Sequence, residues 1–517
     1  MSYSKKQSYK SFFWTLVGLS LFLSGCTEKP SEKRNPTREN EYVEIGCTEI
    51  MYNSGSDLEY IEFKITRGPA ILDMEHAELR VKGAVKFEFP AEPLDTNEYA
   101  VLTNDPELFM ATYPEFSGRL FGPWYLDEDG TLPKLPNEGD AIEIKLRGKG
   151  DVSCSFGGEP PWPSLSNGKG RSLVYIGGDP IHIESWAAHA VDGGNPGGPD
   201  TYIKPLEVRI NEVMPFTAGV AGWVEFYNSS DKSIDMSGWE LEVVAKNQTF
   251  KLNPGTVIDA KGYLVLNGDE ESGDFGEEGL YVGATGSDYY LREVKDGKMT
   301  LREASLKAIA GEASSGFVEL ADGSLGQGSL ASPTPGTANE ILMAGPVFIN
   351  EINYHPMDFT DQVEFLELIN KSDQDVELSS MIKGEVAGWK IAGIRMTFTL
   401  GAVIPANGLL LLVEETTNIE AFKAKYAIAD DIPIHKYKGR LSNRGELLIV
   451  QKPFDFAKVN NKTEWFYSYI DAVLYSDNWE GMKEADGYGK SLHRTDYNSM
   501  GYEAGVWKIG DPSPGKP

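Results

Sequence analysis

Glutamates recur through this chain in pairs: Glu49 with Glu62, Glu212 with Glu225 at the same separation, and Glu351 with Glu367. Two carboxylates facing one another can serve as general acid and general base. Three identical active sites in one chain would be unusual, however, and recurrence argues for one structural task performed three times, such as accepting backbone N–H groups at a strand end. Other residues invite similar scrutiny. Asp127-Glu128-Asp129-Gly130 and the Asp269-Glu270-Glu271 run with Asp274 offer the hard oxygens that calcium requires, so Asp127, Asp129, Asp269 and Asp274 are candidate ligands. A helix-loop-helix calcium site is excluded, because its first and last ligand positions would fall on Tyr125 and Pro136, and a solvated acidic loop is the competing reading. Gly489-Lys490-Ser491 resembles part of a phosphate loop, but that motif's first glycine would be Glu484, which repels phosphate. The six histidines include no His-x-x-x-His pair; His182 and His189 flank Trp186 and could touch a metal, but they lack a third ligand. No Gly-x-Ser-x-Gly elbow occurs. Trp124, Trp162 and Trp479 lie in Gly-, Pro- and Asp-rich stretches, where an exposed ring could stack on a sugar.

The elements that must position these residues repeat as well. Val208-Arg209-Ile210-Asn211-Glu212-Val213 leads to Trp223-Val224-Glu225-Phe226-Tyr227-Asn228, and Val347-Phe348-Ile349-Asn350-Glu351-Ile352 leads to Phe365-Leu366-Glu367-Leu368-Ile369-Asn370. Glu49-Ile50 and Tyr60-Ile61-Glu62-Phe63 form a more diverged first copy. Alternation of apolar and polar residues marks strands with one face buried. Each copy continues through a turn-bearing hairpin into Tyr99–Leu102, Tyr263–Leu266 or Leu409–Val413. The first closes on Gly168–Leu173, Trp186 and Pro196-Gly197, and the third on Gly487–Leu492, Trp507 and Pro514-Gly515. The middle copy offers Gly326-Gln327-Gly328-Ser329-Leu330 and Pro335-Gly336 without the tryptophan. Short strands between Gly- and Pro-rich turns predict an all-β fold of antiparallel sandwiches. With 517 residues, 41% of them hydrophobic, the chain has material for about three or four cores. The formal charge of −30 argues against a nucleic-acid partner.

At the amino terminus, Lys5, Lys6 and Lys10 precede an apolar run from Phe12 to Leu23, shorter than the roughly 20 residues a spanning helix needs. Leu23-Ser24-Gly25-Cys26 resembles the lipobox of bacterial lipoproteins. That resemblance implies a signal peptide over 1–25, lipidation of Cys26 and anchoring without a transmembrane helix. Residues 26–40, rich in charge and holding Pro30 and Pro36, read as a disordered tether. In an exported protein Cys47 and Cys154 could pair, a closure worth about 4–5 kcal/mol on the chain-entropy argument, if the two sulfurs meet. Thr27, rather than an aspartate, follows Cys26, which points to the outer membrane.

The Ile-Asn-Glu strand, the Val/Leu-Glu-Phe/Leu strand, Ser237-Gly238-Trp239, Gly388-Trp389 and the terminal Gly-x-Gly-x-Ser-Leu…Pro-Gly pattern together resemble the lamin tail domain, an immunoglobulin-like β-sandwich. In the first copy the likeness weakens: Thr48 replaces the asparagine, and His76-Ala77 stands where Gly-Trp is expected. The resemblance implies three tandem lamin-tail-like sandwiches, at 41–200, 205–340 and 345–517, strung on short linkers. It leaves no stretch for a separate catalytic domain. The function expected is non-enzymatic: a cell-envelope lipoprotein, held to the membrane by its lipid, whose domains are interaction or spacer modules for protein or polysaccharide. No cofactor is required, with calcium as the one candidate ion. The alternative is an accessory subunit or cryptic metal-dependent hydrolase of an exported nuclease or phosphatase system.

Overall fold

The computed structural model describes residues 44–516, leaving aside 69–70, 82–83, 126–131, 147–149, 218–220, 277–278, 281, 358–362, 395 and 460. Cys26, the tether, Asp127 and Asp129 therefore lie outside the described residues. Strands dominate, and the principal sheets come as facing pairs. In the first pair, a six-stranded sheet ordered Trp186–Ala188, Leu173–Tyr175, Glu44–Met51, Tyr60–Arg67, Tyr99–Thr103, Arg119–Phe121 packs on a four-stranded sheet centred on Gly139–Leu146 and Glu78–Val81. The second has five strands, Tyr263–Asn267, Trp223–Asn228, Val208–Met214, Ser315–Glu319 and Leu325–Ser329, over four that include Glu240–Val243 and Ser287–Lys295. The third has six strands ordered Ile434–Tyr437, Leu409–Glu414, Phe365–Asn370, Val347–Asn353, Ser491–Arg494, Trp507–Gly510, over four that include the long hairpin Gly445–Val459 and Lys462–Ser476. This is β-sandwich architecture of the immunoglobulin-like kind.

Alternation explains the packing. Ile61 and Phe63, Val224 and Phe226, and Leu366 and Leu368 all point into their cores, so the glutamate between each two must point to the opposite face of the sheet. Trp239 and Trp389 are core anchors, and Ala77 is buried where the first sandwich lacks the tryptophan. A disulfide joins Cys47 to Cys154, with Cα atoms 6.4 Å apart, linking one sheet of the first sandwich to the other.

Three features depart from the sequence expectations. Two short helices, Pro106–Thr112 capped by Asp105 and Ile419–Tyr426 capped by Asn418, carry the chain over to a strand that pairs in parallel at the sheet edge. In the second sandwich, Ser315 pairs with Val213 as Leu173 pairs with Ile50 and Leu492 with Ile352. The counterpart of the Ser-Leu signature is thus Ser314-Ser315, and Gly326–Leu330 forms the next strand outward with its flank. Finally, the sandwiches are not strung out, because each touches both of the others. Ser153 meets Ser442 at 3.0 Å and Glu143 accepts the Asn443 N–H at 3.0 Å; Glu303 accepts the Ser164 N–H at 2.7 Å and Lys307 pairs with Glu159 at 2.9 Å. Between the second and third, Leu320, Leu330 and Leu342 pack against Ile449, Ala472, Met500 and Tyr502. Burial of these apolar groups opposes hinge motion between the second and third sandwiches, while the contacts of the first are hydrogen bonds and an ion pair. Among the described residues, no helix is long and apolar enough to cross a membrane.

Candidate functional site

The paired glutamates are cross-strand neighbours in register: Glu49 opposite Glu62, Glu212 opposite Glu225 and Glu351 opposite Glu367. All six are buried, although each lies on the face of its sheet away from the core. They are covered by the segment that closes each sandwich. Glu62 accepts the N–H of Gly197, Glu225 that of Gly336, and Glu367 that of Gly515, the last at 2.6 Å. The partner glutamates hold the residue two positions earlier: Glu49 accepts Asn195 N–H at 3.1 Å, Glu212 accepts Thr334 N–H at 3.2 Å, and Glu351 accepts Ser513 N–H at 3.0 Å. A left-handed backbone at each turn glycine (φ 86°, 84° and 75°) lets the chain reverse directly over the carboxylates, a conformation costly for other residues.

A third group completes each clasp. Register slips by one residue at Thr48, Asn211 and Asn350, a β-bulge that re-aims those side chains. Thr48 donates to Glu62 at 2.6 Å, Asn211 to Glu225 at 2.8 Å and Asn350 to Glu367 at 2.7 Å. The bulge was readable from spacing: Cys47 and Ile50, Ile210 and Val213, and Ile349 and Ile352 are all buried, yet three positions apart rather than two. Burial pushes the carboxyls of Glu62 and Glu367 up to about 8, opposed by these hydrogen bonds, and raises Glu212 and Glu225 for the same reason. In Glu351, burial likewise raises the carboxyl while His493 draws it back. Each pair is buried beneath the closing segment and accepts hydrogen bonds from its backbone N–H groups.

The other sequence candidates separate. Asp269 accepts the Ser272 N–H at 2.7 Å and Asp274 the Asn267 N–H at 2.8 Å, so both brace the backbone of one exposed loop. That loop occupies the place taken by the crossover helices in the other two sandwiches. Trp124 is 1% exposed and donates its indole N–H to Pro133 O at 2.7 Å, which corrects its assignment as a stacking surface. Trp479 is corrected too: it is buried in the third core, 6.3 Å from the Trp507 ring. Trp162 is half-buried and lies over Gly157, where a Cβ would come 2.3 Å from its indole nitrogen. Glycine- and proline-rich surroundings mark a loop but not the direction of its ring, and these rings pack into or against the cores.

Sequence reasoning missed the neighbours of His189. Among the described residues, Glu49, His189 and Asp200 bring one ligand atom each to within 4.8 Å of the others. His189 Nε2 lies 3.9 Å from Asp200 Oδ1. Glu49 and His189 are both buried. His182 is not part of the cluster. Burial raises the Asp200 carboxyl to about 7 and, with repulsion from Glu62 and Asp200, raises Glu49; it lowers His189. The arrangement could in principle take a divalent ion, and no clear catalytic fold accompanies it. The absent signal is simple: Glu49 lies far from His189 along the chain, and only the fold joins them.

The second sandwich carries the decisive likeness. Residues 204–312 match the family profile Lamin Tail Domain. That stretch is a lamin-tail-like region. It runs from before the strand Val208–Met214 through Lys298–Ala308, and ends ahead of the strand Ser315–Glu319 and the Pro335-Gly336 closure. No curated protein and no solved structure matches the chain.

Proposed function

We propose that this protein is a non-enzymatic lipoprotein of the bacterial cell envelope, built from three lamin-tail-like modules at 41–200, 205–340 and 345–517. In this reading, residues 1–25 are a signal peptide, Cys26 carries the lipid, and residues 26–40 tether the body to the outer membrane. The observation that carries the proposal is the role of the glutamate pairs. The constellation most like an acid–base pair is enclosed under the closing turns and bonded to backbone N–H groups. What then remains is a rigid body suited to spacing or contact.

One half-exposed face fits polysaccharide or protein better than the tryptophans discussed above. On the long hairpin and its neighbours, Lys390 lies 4.4 Å over Tyr467, Lys383 and Lys458 flank Phe456, and the Trp465 ring lies tilted against Phe456 with centroids 4.9 Å apart. Aromatic faces bordered by ammonium groups can stack sugars and pair with their anionic substituents. Calcium is not required in this reading: Asp269 and Asp274, its candidate ligands, already accept backbone N–H groups of their own loop. The enzyme alternative, an accessory subunit or metal-dependent hydrolase, draws support from the Glu49–His189–Asp200 cluster alone.

The test is a pull-down from native envelope with the mature protein, alongside a Phe456→Ala/Trp465→Ala variant. A specific envelope partner retained by the parent and lost by the variant is expected. Turnover of phosphoester, glycoside or peptide substrates by the purified chain, abolished by Glu225→Gln, would overturn the proposal.

A further inference from the structure

The first sandwich departs from the second at two positions that meet in space. Asp200 stands three residues after the closing glycine Gly197; the residue three after Gly336 is Asn339. Asn339 donates its amide to Asn211 O at 3.1 Å and Phe317 O at 2.8 Å, filling its pocket with neutral hydrogen bonds. An ionised aspartate has nothing to donate. His189 pairs across to Tyr202 where the second sandwich pairs Leu330 with Leu342, so an imidazole replaces an apolar side chain. Both substitutions introduce metal-binding groups, and both fall beside Glu49, which has a glutamate counterpart in each sandwich.

Unmet bonding capacity collects at that spot. Glu49 is fully buried; its Oε1 accepts the Ser172 hydroxyl and the Asn195 N–H, whereas Oε2 is buried without a hydrogen-bond partner. Asp200 Oδ1 is likewise buried without a partner. A buried carboxylate oxygen without a donor or cation is costly. His189 Nδ1 lies 3.1 Å from both Val191 O and Val191 N, and Nε2 meets only a long 3.5 Å approach from the Thr201 N–H; with the proton on Nδ1 and directed at Val191 O, the Nε2 lone pair faces the Asp200 side for a metal to take. Arg171 is turned to the His189 carbonyl and to Asp192, so its charge is engaged outside the cluster.

We propose that Glu49, His189 and Asp200 form a buried structural site for a divalent cation of the zinc class. Two carboxylates and a neutral imidazole balance the ion's charge, and the nitrogen donor favours zinc over calcium, which prefers oxygen ligands throughout. The ligand atoms would draw in to roughly 3.3 Å from one another around an ion about 2.0–2.1 Å from each. The ion would fasten the closing segment, through Asp200, to the strand carrying Glu49, adding to the hydrogen-bonded clasp that all three sandwiches share.

The experiment uses the mature protein with its disulfide intact, stripped by chelator and titrated with zinc or calcium. Calorimetry and the melting temperature are the readouts. A His189→Leu/Asp200→Asn variant installs the second sandwich's own residues and preserves the fold, which circular dichroism checks. Expected are one zinc per chain, a higher melting temperature on binding, no comparable response to calcium, and loss of both effects in the variant. Absence of zinc binding in the parent, unchanged binding in the folded variant, or preference for calcium would each overturn the proposal.

Discussion

Glu367 is a buried carboxyl bonded to the neutral Asn350 amide and the Gly515 N–H, so its protonated form is favoured by folding. For Glu367, raised to about 8, the folded chain holds the proton more tightly than the unfolded chain does. The stability from that group is fully present below its ordinary value near 4.3 and is lost as pH rises through about 8. Denaturant unfolding at pH 5 and pH 9 should therefore show the parent losing on the order of 1–3 kcal/mol more than Glu367→Gln across that interval. Equal pH dependence in both proteins would mean that the carboxyl is not perturbed. Although the recurrence of these glutamates was visible in the sequence, their partners were not. Gly197, Gly336 and Gly515 lie more than a hundred residues downstream, and nothing local connects them.

At the level of elements, alternation and turn residues predicted the strands well because one face of each sheet is buried and the period is two. The same rule concealed the crossover helices: Pro106–Thr112 has seven residues and buries only Phe109, too little to establish a helical period. It also misplaced the closing strand of the second sandwich, since Gly326–Leu330 imitates a signature whose structural place belongs to Ser314-Ser315. The disulfide belongs to this scale, stapling the strand Glu44–Met51 to Gly150–Gly157 across the first core. It spans 107 positions, so the unfolded chain it constrains is long, and its removal should cost about 4–5 kcal/mol. Urea unfolding of Cys47→Ala/Cys154→Ala should show an early transition from loss of the first sandwich. An unchanged midpoint would contradict a stabilising role.

For the whole molecule, the three sandwiches make direct contacts with one another, which the expectation of tandem units on short linkers did not include. Interfaces such as Leu320, Leu330 and Leu342 against Ile449 and Tyr502 join residues whose periodicity shows that they are apolar, but not whether they face a core or a neighbouring sandwich. The central claim is that paired glutamates close each sandwich from outside, so the molecule has three clasps in place of three acid–base sites. Amide hydrogen exchange at Gly197, Gly336 and Gly515 tests it most directly, because each N–H points at a buried carboxylate. Slow exchange is predicted at all three, even at Gly515 in the final turn, with Glu62→Ala, Glu225→Ala and Glu367→Ala each releasing its own glycine. Exchange in the parent at the rate of an open turn would contradict the account.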